Sequence, residues 1–331
     1  MLLGRRPFAR LAAAGLALPA LRPARAAVSG PLVLYTSQLE PDAARTVEAF
    51  RALHPGVQVD WIRGGTGTIM TRLRAEIAAG SPRPDVLLLA DSLTFEGLKE
   101  EGRLRPAPEV NTAGVPADHI AADRSYFGTK LITTGIMHHI RAPFVPARWT
   151  DLTDPRARGQ VAMPSPAVSG AAAIHVLALT QNPALGWPYI EKLVEGGVQA
   201  RGGNGPVMQA VAGGERAFGI VIDYLPIREA AKGAPVRFVF PEDGVSAITE
   251  PAAILSSARN VPAAIAFIDF LLSPEGQRLA ASQGFLPADP AVAPPPGFPD
   301  PRTIRIMPFD AARAARERDE TLRRFAALTG S

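Results

Sequence analysis

The sequence predicts an α/β protein built as two units, each a mainly parallel sheet flanked by helices. Three observations carry this reading. Strands alternate with helices through residues 32–101, the same alternation restarts after an extended stretch at residues 126–137, and the chain is longer than one core usually organises. Setting aside an N-terminal processing segment of 26 residues from the 331 leaves 305, for which two units are the expectation.

In the first unit, Leu32-Val33-Leu34-Tyr35-Thr36 reads as a strand, and Pro41 opens a helix with Val47, Phe50 and Leu53 at helical spacing. Val57, Val59 and Trp61 alternate with Gln58 and Asp60 as a second strand. Gly64-Gly65-Thr66-Gly67-Thr68 leads into a helix marked by Ile69, Leu73 and Ile77, which stops at Gly80 and Pro82. Residues 85–90 form a continuous apolar run of the kind buried on both faces of a parallel sheet, and Ser92 is placed to cap the next helix. In the second unit, residues 160–163 and 218–222 read as strands and residues 169–179 and 183–195 as helices. A third phase begins near Val245, with a strand at 250–256 and helices at 261–272 and 274–282 returning to the first sheet. An arginine-rich amphipathic helix at 310–328 closes the chain. The expected division is therefore an export signal at 1–26, a first lobe from 27–132 plus 246–331, and a second lobe at 133–245.

The first residues read as that signal. Arg5-Arg6-Pro7-Phe8 supplies charge, residues 11–21 are apolar, and Ala24-Arg25-Ala26 offers a small-x-small cleavage site. The apolar stretch is shorter than the roughly 20 residues a bilayer requires. The paired arginines fit a twin-arginine signal, and an ordinary secretory signal is the alternative; both place the mature protein in a bacterial periplasm. The segment's five arginines have no acidic counterpart, so removing them takes the formal charge from +4 to −1. A near-neutral chain without a Lys/Arg run argues against nucleic acid or an anionic membrane as partner. The absence of cysteine excludes disulfides and thiolate chemistry.

Two turns between a strand and a helix are candidate anion sites. Residues 64–68 and residues 164–171 both combine backbone amides at a helix start with Ser or Thr hydroxyls, although helix capping alone selects the same residue types. Their occurrence in two separate units, at the ends of strands where α/β sheets place ligands, is the stronger argument. Carboxylates ending strands (Asp91, Asp223, and with them Glu40 and Glu250) could take an amine or a metal; Asp91 also reads as a helix cap. No nucleophile-elbow, P-loop or zincin motif is present, and adjacent His138-His139 on a strand point to opposite faces and make a poor chelate. A partial glycine fingerprint behind a twin-arginine signal keeps a periplasmic cofactor-dependent oxidoreductase as an alternative of another class.

The order of features resembles the periplasmic solute-binding proteins of ABC importers, in the group that includes ferric-iron, 2-aminoethylphosphonate, hexose-phosphate and thiamine binders. The likeness rests on Leu34-Tyr35-Thr36-Ser37, Pro84-Asp85-Val86 to Asp91 with Glu101-Gly102-Arg103-Leu104, Trp149-Thr150-Asp151-Leu152, Met163-Pro164-Ser165-Pro166 with Ser169-Gly170, Gly213-Gly214-Glu215, and Phe267-Ile268-Asp269-Phe270-Leu271-Leu272-Ser273-Pro274-Glu275-Gly276. The resemblance implies the type II two-lobed binding-protein fold, crossovers near Thr133 and Val245, no enzymatic activity, no cofactor, and a monomer that delivers its ligand to a membrane permease or a membrane sensor. It also implies that closure joins the two turns into one cradle. There Ser37, Thr66, Gly67, Thr68, Ser165, Ser169 and Gly170 would hold an oxyanion, with Asp91, Asp223 or Tyr224 taking the remainder, and Gln38, Ala171 and Asn204 completing the set. Iron binders of this family carry adjacent tyrosines where this chain has Asp223-Tyr224-Leu225, so a phosphonate or phosphate ester is the first expectation, 2-aminoethylphosphonate foremost, with ferric iron the alternative.

Overall fold

The computed structural model describes residues 28–330; the export signal expected over residues 1–26 lies outside the described residues. The chain runs β1 (Gly30–Thr36), α1 (Glu40–Leu53), β2 (Val57–Arg63), α2 (Thr66–Ala78), β3 (Val86–Leu88), α3 (Ser92–Glu100), β4 (Leu104–Arg105) and β5 (Phe127–Gly128). It continues as β6 (Lys130–His139), β7 (Val161–Met163), α4 (Gly170–Gln181), α5 (Gly186–Glu195), β8 (Gln199–Ala200), α6 (Asn204–Ala212), β9 (Phe218–Ile222), α7 (Tyr224–Ala231), β10 (Val236–Val239) and β11 (Ser246–Ile248). The remainder is β12 (Pro251–Leu255), α8 (Val261–Leu272), α9 (Pro274–Ser282), β13 (Leu286–Pro287) and α10 (Ala311–Thr329). Among the described residues, no helix is long and apolar enough to cross a membrane.

Two mixed sheets result, and each is the floor of one lobe. In the first the order is β2-β1-β3-β12-β4, with β1, β2 and β3 parallel, β12 antiparallel between β3 and β4, and β5 on β12. In the second it is β10-β6-β9-β7-β8, with β7, β8 and β9 parallel, β6 antiparallel, and β11 and β13 also on β6. The apolar run at 85–90 is buried on both faces: Val86 and Leu88 pack with Phe50, Phe267 and Ile268, while Leu87 and Leu89 pack with Ile69, Leu73 and Phe95.

The chain passes between the lobes at Thr129 and again at Thr249, where the two crossing segments bond to each other through Thr129 N and Thr249 O at 2.9 Å. The sequence expectation put these crossings near Thr133 and Val245. The extended run from β5 into β6 is continuous in hydrophobicity, so the change of sheet leaves no mark in the pattern. Of residues 246–331, expected with the first lobe, β12 and α8 join the first sheet, β11 and β13 pair with β6, and α10 packs on α4 and α5 of the second lobe and on α3 of the first. Ser92, expected to cap α3, is the first residue of that helix, and the cap is Asp91, whose carboxylate accepts from Thr94 N at 3.2 Å. α6 has no counterpart in the sequence reading because Gly202, Gly203, Gly205 and Pro206 resemble a loop. Pro206 is tolerated because it falls in the first helical turn, where amides have no intrahelical partner.

Candidate functional site

A cavity of about 60 Å³ lies between the lobes, at the carboxyl ends of β1, β2, β3 and β9. From the first lobe it is lined by Ser37, Leu39, Arg63, Gly65, Thr66 and Ala90. From the second it is lined by Ser169, Gly170, Ala171, Gly203, Asn204 and Tyr224, and Glu250 of the second crossing closes one end. Three helices, α2, α4 and α6, therefore begin at its wall, and each presents first-turn amides that the helix itself cannot satisfy.

Ser169 and Ser37 each accept from the protein and keep a hydroxyl proton to donate. Ser169 Oγ accepts from Ala172 N at 3.3 Å and from Asn204 Nδ2 at 3.1 Å, which leaves its proton free; Asn204 is itself fixed by Ile222 N, 3.3 Å from its Oδ1. Ser37 Oγ accepts from Ala90 N at 2.9 Å. Thr66 Oγ1 is buried and has no partner among the described residues, a state that is costly unless something fills the cavity. Arg63 donates Nε–H to Gln38 O at 2.8 Å, and its terminal nitrogens have no partner among the described residues. The opposite charge at the site belongs to Glu250, paired with Lys130 at 2.5 Å with both side chains 3% exposed, while Lys130 Nζ lies 4.6 Å from the Phe285 ring centre.

The lobes touch through backbone. Gly67 N donates to Val168 O at 3.2 Å, and a Cβ on Gly67 would fall 1.8 Å from Ala167 O. A Cβ on Gly170 would fall 2.5 Å from Ala90 O and 2.9 Å from Thr66 Oγ1. The glycines of both turns are thus required for the approach of one lobe to the other.

Of the residues singled out in the sequence, Ser37, Thr66, Ser169, Gly170, Ala171, Asn204 and Tyr224 line this cavity. Six do not. Gly67 and Asp91 line a neighbouring cleft closed by Arg318 of α10. Thr68 is exposed, because the first turn of α2 carries it away from the cavity. Ser165 Oγ is turned back to Ala167 N at 3.2 Å. Gln38 is buried, with Nε2 3.4 Å from Glu250 Oε2. Asp223 accepts from Thr133 N at 3.0 Å, Thr133 Oγ1 at 2.7 Å and Tyr224 N at 2.7 Å, and burial pushes its carboxyl up to about 7. It positions the start of α7, and through it Tyr224, whose ring packs 4.1 Å from that of Phe285. Arg63 was missed by the sequence reading, although a lone cation at the end of a strand beside Gly64-Gly65 was the available signal.

The chain matches the model of the bacterial extracellular solute-binding protein family over residues 8–286. A protein of Haemophilus influenzae is 28% identical over 323 residues, covering 91% of this chain and 89% of its own length. Among solved structures, the periplasmic binding protein P5PA superposes with a TM-score of 0.80 at 24% identity, covering 91% of this chain and 100% of that one. AfuA from Actinobacillus pleuropneumoniae, with fructose-6-phosphate bound, gives 0.80 at 22% identity over 91% and 99%. Iron-bound HitA from Pseudomonas aeruginosa gives 0.75 at 24% identity over 89% and 99%. The family that matches is one of solute-binding proteins, which sets aside the oxidoreductase alternative. Two sheets facing one cleft, two crossings and a family match over most of the chain agree, and this protein belongs to the bacterial extracellular solute-binding proteins.

Proposed function

We propose that the protein is exported to the periplasm, where it captures a small organophosphonate or phosphate monoester, 2-aminoethylphosphonate first among candidates, and delivers it to a membrane permease. The observation that carries this reading is the convergence of three helix N-termini from both lobes on one small cavity lined also by Arg63 and by Thr66, whose buried hydroxyl has no partner among the described residues. Oriented amides and hydroxyl protons suit a tetrahedral oxyanion, and Arg63 adds a formal charge. Glu250 is the carboxylate in the lining.

The same fold carries fructose-6-phosphate in AfuA and iron in HitA, so the donor set must discriminate. Tyr224 is the single phenol in the cavity lining, Glu250 is already engaged by Lys130, and no group of three His, Cys, Asp or Glu among the described residues could hold a metal. Iron(III) prefers several anionic oxygens, which this lining does not gather. The small cavity favours a compact phosphonate over a hexose phosphate.

A thermal-shift screen of the mature protein against phosphate, 2-aminoethylphosphonate, other phosphonates, hexose phosphates, thiamine, sulfonates and ferric citrate tests the reading. A shift with a phosphonate or phosphate ester that disappears in Arg63→Ala and Ser169→Ala is expected. A shift with ferric citrate alone would overturn the ligand assignment and leave the fold and transport role in place.

A further inference from the structure

The cleft beside the ligand cavity contains an ion pair that the ligand does not need. Arg318 of α10 grips Asp91 with both terminal nitrogens, Nη2 to Oδ2 at 2.6 Å and Nη1 to Oδ1 at 3.2 Å, and Asp91 is fully buried. The two residues belong to different lobes. Asp91 ends the strand run of the first sheet and caps α3, and its remaining bonds, from Thr94 N at 3.2 Å and Thr94 Oγ1 at 2.8 Å, stay within the first lobe.

α10 packs mainly on α4 and α5 of the second lobe and also touches α3 of the first. Gln181 exchanges two hydrogen bonds with the Asp310 backbone, at 3.1 and 2.9 Å. Ala314 and Phe325 are buried, and Phe325 packs in the same core as Leu185, Tyr189 and Ile190. Arg324 pairs with Glu191 at 2.7 Å and stacks 4.0 Å from the Trp187 ring centre. These bonds tie α10 to the second lobe, so its contacts with α3 and the grip of Arg318 on Asp91 break together when the lobes separate.

We propose that Arg318 is a closure latch: a positioning residue outside the ligand cavity whose bidentate grip on Asp91 forms as the lobes meet and raises the population of the closed state. The proposal does not depend on the identity of the ligand. The geometry favours a net gain over mere neutrality. Asp91 is already held in place by Thr94, and a planar guanidinium loses little freedom in a two-pronged bond. The apparent affinity of a ligand that needs both lobes scales with the closed population, so the latch sets affinity without touching the ligand.

The test uses the ligand-free mature protein. The chain has no cysteine, so Met70→Cys and Pro166→Cys, at residues lining this cleft from opposite lobes, provide a unique pair for trapping by a short bifunctional maleimide. The trapping rate is proportional to the closed population even when that population is small. Arg318→Met keeps the aliphatic stem and removes the grip, and Asp91→Asn keeps a capping acceptor on the other lobe. The expected result is trapping slowed by at least about tenfold in each variant, with the double variant no slower than either, since close charge pairs across interfaces couple at this level or above. Agreement between variants on separate lobes excludes a local folding defect as the cause. Trapping within twofold of the parent in either single variant would overturn the latch.

Discussion

Gly67 in the first turn of α2 and Ala167 ahead of α4 stand so close that a Cβ on the glycine would lie 1.8 Å from the Ala167 carbonyl oxygen. The contact separates two effects that a substitution would otherwise confuse. Within the helix, alanine is favoured over glycine by about 1 kcal/mol. Across the cleft, the same methyl group holds the lobes apart. Gly67→Ala is therefore expected to melt no lower than the parent without ligand, while its affinity for the ligand selected by thermal shift falls at least tenfold, on the order of the closed-state population it removes. Calorimetric titration beside a melting curve checks both; equal affinity would mean the lobes do not meet here in the bound state.

Thr66 offers a second dissociation of stability from binding. Its hydroxyl is buried without a partner, a condition that costs about 1–3 kcal/mol. Thr66→Val keeps the shape and removes the unpaired group. The ligand-free protein should become equally or more stable to urea, and ligand affinity should drop by about tenfold or more. A variant that binds as well as the parent would show that the hydroxyl does not face the ligand.

Lys130 and Glu250 stand at the two crossings, so their ion pair ties together the strands about which the lobes turn. Removing one partner of a buried pair leaves an uncompensated charge and costs about 3–5 kcal/mol. Lys130→Met should lose about that much in urea unfolding, and Lys130→Met with Glu250→Gln should recover most of it. If the double variant is as unstable as the single, the damage comes from lost packing on Phe285.

Asp223 fixes a pH dependence. Burial raises its folded-state pKa to about 7, against about 3.9 in an unfolded chain. Below pH 4 both states hold the proton and its stabilising contribution is fully present. As pH rises toward 7 the unfolded chain releases the proton first, so stability is lost progressively across that window, by about 4 kcal/mol in all. Asp223→Asn should flatten this part of the profile, measured as unfolding free energy at pH 4.5 and 7.5. An unchanged slope would assign the dependence to other groups.

Elements whose burial shows in local pattern were legible in the sequence. Residues 86–90 read as a strand buried on both faces because each residue is apolar, and both faces are covered. The anion-binding turns were legible as classes of residue but not as directions. Thr66 and Thr68 are chemically alike and two positions apart, yet the helical rotation places one in the cavity and the other in solvent. Asp91 looked like a ligand carboxylate because its cross-lobe partner, Arg318, lies 227 residues away, a distance no local pattern spans. The same holds for α10, whose amphipathic stripe announces a helix but not the surface it will cover.

β12 lies in the middle of the first sheet, between β3 and β4, with Ile254 opposite Val86 and Leu255 opposite Leu104. The lobe that begins the chain is therefore completed by a strand synthesised after most of the second sheet has emerged. A nascent chain that stops short of residue 251 would leave the β3 edge unpaired and Val86 and Leu88 without Phe267 and Ile268, so the first lobe has no native state of its own at that stage. Such long-range pairing slows folding and lengthens the interval in which chaperones can engage the unfolded chain.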